Sequence, residues 1–252
     1  MKFSIARFLF SMYAMIVFLL LLLMVFPFAL LSMLWGRVRG GNMLYRLCML
    51  WADVWFLLVF IFIKKIKEAP LDVGRSCIYV ANHISYLDTP LIMKAFRKPL
   101  RPLAKAEMGK LPIFGFIYKN ATVSVERDSI GSRSVSLRRL KSFLGKGISV
   151  LVFPEGTFNE TGKPLKNFYN GAFRLAIETQ TPIRPVLFLD TYTRMPYSGL
   201  FTLNPGHCRV VYLPEVPVEG LSLKDADMLK LKVKSLMEVR LISYKADWIR
   251  QD

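Results

Sequence analysis

Hydrophobic positions along this chain fall into two regimes. From Phe8 to Gly36 no residue carries a charge, and the run FLFSMYAMIVFLLLLLMVFPFALLSML exceeds the roughly 20 residues that cross a bilayer as a helix. It also outlasts the core of a signal peptide, about 7–15 residues, and ends in no small-residue cleavage site. After GRVRGGN a second run, Leu47 to Ile63, is apolar apart from Asp53. Together they predict a membrane-associated helical hairpin, residues 1–65, ahead of a second unit, residues 66–252.

In that second unit short apolar runs alternate with amphipathic segments. CIYVAN, ATVSVER, ISVLVFPEGT, PIRPVLFLD and RVVYLPEVPV are rich in Val, Ile and aromatics and bounded by Gly, Pro or Asn, which predicts strands. TPLIMKAFR, SRSVSLRRLKSFLGKG and GAFRLAIETQ predict helices, the middle one ending in glycines. A last helix starts at Ser222, with Asp225 three positions on, and packs through Leu229, Val233, Leu236 and Leu241. The alternation predicts an α/β layer fold, a mostly parallel mixed sheet flanked by helices. There is no internal repeat and no low-complexity segment.

Composition agrees with the first regime and adds a charge. Hydrophobic residues make up 53% of the chain and mean hydropathy is +0.35, too high for an ordinary soluble protein. Residues 64–252 carry 30 Lys and Arg against 17 Asp and Glu, so this unit presents a basic face suited to anionic lipid, an acidic protein or a phosphorylated substrate. No nucleic-acid-binding motif accompanies it. Lys2 and Arg7 before the first apolar run, Arg37, Arg39 and Arg46 between the two, and Lys64, Lys65 and Lys67 after the second put positive charge on every flank, which favours a hairpin dipping into the cytoplasmic leaflet over two full spans. Asp53, costly deep in hydrocarbon, leans the same way; Pro27 is also compatible with a kinked spanning helix. Three scattered cysteines, Cys48, Cys77 and Cys208, have neither zinc-site nor disulfide spacing, which leaves buried thiols in a reducing compartment, with no metal and no resident cofactor.

Candidate chemistry concentrates at NHISYLD, residues 82–88. His83 and Asp88 flank a turn between a strand end and a helix expected to open at Thr89 and Pro90. In such a turn the carboxylate can fold back on the imidazole, fix its tautomer and raise its basicity, which suits a general base acting on the substrate's own hydroxyl. The same residues can equally serve as turn and helix caps. In FPEGTF, Glu155, Gly156 and Thr157 follow a very apolar strand in a tight turn whose backbone N–H groups can face an anion, or simply end the strand. There is no G-x-S-x-G elbow, phosphate loop, G-x-G-x-x-G or H-E-x-x-H.

Taken jointly, NHISYLD, KAEMGKLPIFG, ATVSVERD, FPEGTF and TPIRPV resemble, in order and spacing over roughly residues 66–220, the four sequence blocks of the glycerolipid acyltransferases, with the nearest likeness to bacterial 1-acylglycerol-3-phosphate acyltransferases. The resemblance implies that His83 is the catalytic base and Asp88 its partner. It implies that Arg127 and Lys105 contact the acceptor's phosphate, that Glu155, Gly156 and Thr157 serve acceptor binding, and that Pro185 is associated with the acyl donor. The implied function is transfer of a fatty acyl group from acyl-CoA or acyl-carrier protein to lysophosphatidate at the cytoplasmic face of the inner membrane. Where the second block usually has glycine and phenylalanine this chain has Ala121 and Ser124, and where the third has arginine after the threonine it has Phe158. One phosphate-binding cation is missing from its usual position, which brings in other acceptors, such as a lyso-aminolipid or glycerol 3-phosphate. A non-catalytic membrane-associated protein that binds lipid or acyl carrier is the alternative of another class.

Overall fold

The computed structural model describes residues 5–70, 74–126 and 129–250. In chain order it has α1 (Ile5–Ser32), α2 (Gly41–Leu58), β1 (Ile61–Lys67), β2 (Ile78–Ala81), α3 (Asp88–Ala95), β3 (Leu100–Lys105), α4 (Phe114–Ala121), β4 (Val123–Val125), α5 (Ile130–Leu144), β5 (Ser149–Val152), α6 (Gly171–Thr179), β6 (Ile183–Phe188), the short α7 (Thr191–Arg194), β7 (Gly206–Tyr212) and α8 (Ala226–Ser243). The seven strands form one sheet in the order β1-β7-β6-β2-β5-β3-β4. From β6 to β4 all neighbours are parallel; β7 runs antiparallel to β6, and β1 runs parallel to β7.

Helices cover both faces. On one, α2, α3 and α4 bury Leu44, Phe56, Leu91 and Ile117 in one cluster with Ala81, Leu151 and Phe188 of the strands. On the other, α5, α6 and α8 bury Leu140, Phe173 and Val233 against Ile78, Val150 and Leu187. The last helix begins as its sequence implies: Ser222 and Asp225 form a reciprocal capping box, satisfying otherwise orphaned N–H groups.

Two features differ from the sequence expectation. The second apolar run is not one membrane helix. It turns at Phe60, whose φ is +53°, and Ile61–Lys67 pairs along its length with Gly206–Tyr212. The division expected between residues 65 and 66 therefore falls inside β1. A count of apolar residues cannot detect this exit, because a strand half-buried through Ile61 and Ile63 looks like the last turn of an apolar helix. Asp53, expected to be costly in hydrocarbon, instead meets Lys94 of α3 at 2.7 Å and Arg97 at 2.9 Å, so α2 is docked by charge as well as by its buried face. The chain also makes β3 and α4 where no element was read; Pro102 and Ile113, the latter at φ +60°, interrupt the periodicity there.

The hairpin lies along the domain rather than projecting from it. Near its start Arg7 Nε donates to the Thr202 carbonyl at 2.7 Å, and the Leu203 N–H donates to Ser11 Oγ at 2.9 Å. At its turn the fully buried Arg101 of β3 donates to Asn42 Oδ1 at 2.9 Å, and a Cβ at Gly41 would lie 2.5 Å from that guanidinium. Phe18 packs edge-on to Trp51 at 4.7 Å and Trp55 at 5.7 Å. The opposite face of α1 exposes Leu9, Ile16, Leu20, Leu23, Met24 and Phe28.

Candidate active site

The parallel strands β6, β2, β5, β3 and β4 all end at the same edge of the sheet, the edge where open α/β sheets place their ligands. Residues 82–88 leave that edge from β2. Asn82, 1% exposed, pairs with the end of β6 as a peptide would: its Nδ2 donates to the Phe188 carbonyl at 3.0 Å and its Oδ1 accepts from the Phe188 N–H at 2.9 Å. Sequence reasoning did not single it out, because an Asn closing a strand looks like an ordinary breaker. Helix α3 opens at Asp88 rather than at Thr89. The physical reason is that the Asp88 carboxylate turns back to the preceding loop, where Oδ2 accepts the N–H groups of Ile84 at 2.8 Å and Ser85 at 2.9 Å.

The same Oδ2 lies 2.9 Å from His83 Nδ1. A carboxylate oxygen that already accepts two N–H groups is an acceptor here too, so Nδ1 carries the proton and Nε2 is left with the free lone pair. Asp88 is fully buried, while the His83 side chain is 17% exposed. The imidazole stacks on Phe153, with centroids 4.1 Å apart and planes at 14°, and meets the edge of Phe158 at 4.4 Å. Tyr86 packs on the far side of Phe158 at 4.8 Å. These rings fix the imidazole plane and keep water from its faces.

From the neighbouring strand β5 comes the second predicted block. Glu155, 2% exposed, bridges two segments: Oε1 accepts the His83 N–H at 2.9 Å and Oε2 accepts the Lys166 N–H at 2.8 Å. Burial pushes its carboxyl up to about 7, against the downward pull of those two N–H groups and the Lys166 cation. The Asn159 N–H donates to the His83 carbonyl at 2.8 Å, so the histidine is held on both sides of its main chain. Gly156 has φ +77°, a left-handed conformation that favours glycine, and a Cβ there would push on the exposed Tyr169 ring, 2.7 Å away. Its N–H is taken by the Phe153 carbonyl at 3.1 Å.

The predicted residues are thus brought together in part. His83, Asp88, Glu155, Gly156 and Thr157 share one pair of adjacent loops. Lys105 stands at the end of β3, on the far side of β5, half-exposed and 3.3 Å from Glu107. Pro185 does not reach these loops: it is buried inside β6 opposite Val80, and its carbonyl accepts the Leu213 N–H. Arg127 lies outside the described residues. The surface also carries two clefts. One, of about 900 Å³, follows β4 and is lined by Arg37, Lys110, Lys119 and Arg139 among others. The other, of about 570 Å³, adjoins the Glu155–Thr157 turn and is lined in part by Lys163, Lys166, Tyr169 and Lys234. Chemically, the pair offers one oriented imidazole base beside aromatic walls.

Comparison with known proteins adds the lineage. The model of the family described as Acyltransferase matches residues 62–189. An uncharacterized acyltransferase of Schizosaccharomyces pombe is 30% identical over 182 residues, covering 70% of this chain and 64% of that protein. The human 1-acyl-sn-glycerol-3-phosphate acyltransferase alpha is 32% identical over 162 residues, 64% of this chain and 56% of that protein. The chain therefore spans 56–64% of the length of these curated relatives. Among solved structures, the 1-acyl-sn-glycerophosphate acyltransferase PlsC of Thermotoga maritima superposes with a TM-score of 0.77 at 25% identity, over 98% of this chain and 99% of that one.

Proposed function

The chain belongs to the Acyltransferase family, and from that premise we propose that it moves a fatty acyl group from an acyl thioester to the free hydroxyl of 1-acylglycerol 3-phosphate, giving phosphatidate. The observation that carries this reading is the His83 Nδ1 to Asp88 Oδ2 bond of 2.9 Å on a carboxylate already anchored by two backbone N–H groups. His83 Nε2 takes the proton of the acceptor hydroxyl as its oxygen attacks the thioester carbon. The tetrahedral oxyanion collapses, the C–S bond breaks, and the proton passes from the imidazolium to the leaving thiolate. Asp88 holds the tautomer and stabilises the imidazolium. No serine or cysteine nucleophile and no metal enters this scheme.

The donor is acyl-CoA or acyl-carrier protein, and the excess of Lys and Arg suits an acidic carrier. Lys105, at the end of β3, supplies a cation for the head group; the same role for Arg127 is implied by the family resemblance. The exposed apolar face of α1, backed by a helix whose two ends both touch the domain, suits a hairpin lying in the cytoplasmic leaflet of the inner membrane. Phe158 against the imidazole favours a second acceptor class with less phosphate to bind, such as a lyso-aminolipid.

The test is transfer of a labelled acyl group from one thioester to lysophosphatidate, glycerol 3-phosphate and a lyso-aminolipid, using the full chain in detergent. Lysophosphatidate is expected to be the best acceptor. Preference for either of the others overturns the acceptor, and absence of transfer to all three overturns the reaction.

A further inference from the structure

The cleft along β4 carries positive charge that the acyl-transfer scheme does not use. Arg37 of the hairpin turn, Lys110, Lys119 of α4 and Arg139 of α5 line it, against Glu107 and Glu126. Among the described residues none of these four cations makes an ion pair, and Glu107 is taken by Lys105 at 3.3 Å. Lys119 is laid in place: a Cβ at Gly109 would lie 2.6 Å from its Cε, so its stem runs over the backbone next to Lys110. A further cation stands behind the cleft. Arg101 is fully buried, and its guanidinium lies 5.0 Å from the centroid of Phe143, which lines the cleft. It donates to Asn42 Oδ1 and to the Leu100 and Val38 carbonyls, and among the described residues it meets no carboxylate and its Nε has no partner. Cations gathered in this way repel one another and leave a buried charge uncompensated; an anion in the cleft relieves both.

Position separates this cleft from the imidazole and joins it to the hairpin. β4 is the third strand from β2, about 14 Å away at strand spacings of about 4.8 Å. Helix α5 runs against β4, with Ser132 Oγ on the Glu126 N–H and Ser136 Oγ on the Ser124 carbonyl. Arg139 and Phe143 therefore lie toward the start of that strand, away from the edge where the catalytic loops leave. A glycerolipid whose hydroxyl is at His83 carries its phosphate on a neighbouring carbon and does not reach this far. Around the cleft the surface turns apolar: Leu34 and Trp35, just before Arg37, and Met108 and Leu111, flanking Lys110, are exposed. Phe26 of α1 meets Phe116 of α4 edge-on at 5.8 Å, which sets α1 and its exposed face beside α4. An apolar face that ends in Trp and Arg marks the boundary between acyl chains and head groups. We propose that the cleft holds the phosphate of one anionic bilayer phospholipid, bound without being a substrate. Its acyl chains lie against Leu34, Trp35 and the exposed face of α1, and its phosphate clasps the hairpin turn to α4 and α5. The arginines take phosphate oxygens two at a time, and the lysines act as point charges.

The site does not depend on the acyl-transfer reading, and it is measured with no thioester present, so failure of one is distinguishable from failure of the other. The test uses the full chain in neutral detergent micelles that contain phosphatidylglycerol, phosphatidylcholine or inorganic phosphate, and reads retained lipid by native mass spectrometry together with Tm. The wild type is expected to retain phosphatidylglycerol over phosphatidylcholine and to melt higher with it. A hydrogen bond between charged groups corresponds to roughly tenfold to a hundredfold in affinity. Lys119→Met combined with Arg139→Gln removes two such contacts while keeping the stem over Gly109, and is expected to weaken phosphatidylglycerol by at least about a hundredfold. Lys119→Arg with Arg139→Lys keeps the charges and most of the binding. Arg37→Gln, a single change on the exposed turn, is expected to weaken it about tenfold and carries the test if the double variant does not fold. Lys64→Gln with Lys67→Gln removes the same charge from β1, at the other edge of the sheet, and is expected to weaken it far less. Equal weakening by that pair makes the attraction diffuse and overturns the site, as does retention without preference for phosphatidylglycerol. Stabilisation by inorganic phosphate equal to that by phosphatidylglycerol overturns the lipid as occupant.

Discussion

Glu155→Gln separates what the buried carboxylate does for stability from what it does for the histidine. Moving a carboxyl from its ordinary 4.5 to about 7 corresponds to roughly 3 kcal/mol, at about 1.36 kcal/mol per pH unit. The sign follows from proton binding. Between pH 4.5 and 7 the folded chain holds the Glu155 proton and the unfolded chain does not, so this group's contribution is complete below about 4.5 and is lost as pH rises through about 7. Glutamine cannot titrate. At pH 5 it is expected to be the less stable of the two, by about 1–3 kcal/mol, because its NH2 faces either the His83 or the Lys166 N–H with no acceptor. By pH 8 the difference moves about 3 kcal/mol in the variant's favour. A chain of this size gains about 2–4 °C in Tm per kcal/mol, which makes the change readable by thermal denaturation in detergent at the two pH values. Activity moves the other way: one of the two ties is gone, His83 is less well placed, and kcat is expected to fall about tenfold to a hundredfold. An unchanged Tm difference between pH 5 and pH 8 would refute the reasoning, as would a variant with wild-type kcat.

Four further outcomes follow from the same geometry. His83→Ala is expected to lower acyl transfer by about 10²–10⁴-fold, the usual worth of a general base, with the circular dichroism of the wild type; activity within threefold would remove His83 from the mechanism. Asp88→Asn leaves an acceptor for the Ile84 and Ser85 N–H groups but takes the charge from the imidazolium, so kcat is expected to fall severely yet less than for His83→Ala, as single-turnover rates would tell. Deleting residues 1–63 removes Leu44, Tyr45, Ala52 and Phe56, all fully buried, together with the first pairs of β1, so the truncated chain is expected to aggregate on expression, and recovery of an active soluble domain would contradict this packing. Trp35→Cys, at the exposed hairpin turn, is expected to be labelled from the cytoplasmic side of sealed vesicles if the hairpin lies in one leaflet; labelling from the opposite side only would indicate a span.

Local chemistry was legible without coordinates. From Ile78 onward most strands and helices follow from short-range periodicity, though not β3 and α4, and the Ser222–Asp225 cap follows from a four-residue pattern. The His83–Asp88 pair and the Gly156 turn are likewise complete within a few residues of chain, so their geometry is encoded where they stand. What depends on partners distant in sequence was not legible. Ile61–Lys67 reads as the end of an apolar run until β7 is beside it, and Asp53 reads as a stray charge until α3 brings Lys94 and Arg97. Glu155 reads as part of a turn until folding puts His83 on one oxygen and Lys166 on the other. Periodicity reports which face of an element is apolar, but the crossovers of the sheet decide which element that face meets. The chemistry of each loop was therefore written locally, and only the packing of β2 beside β5 turned two loops into one site.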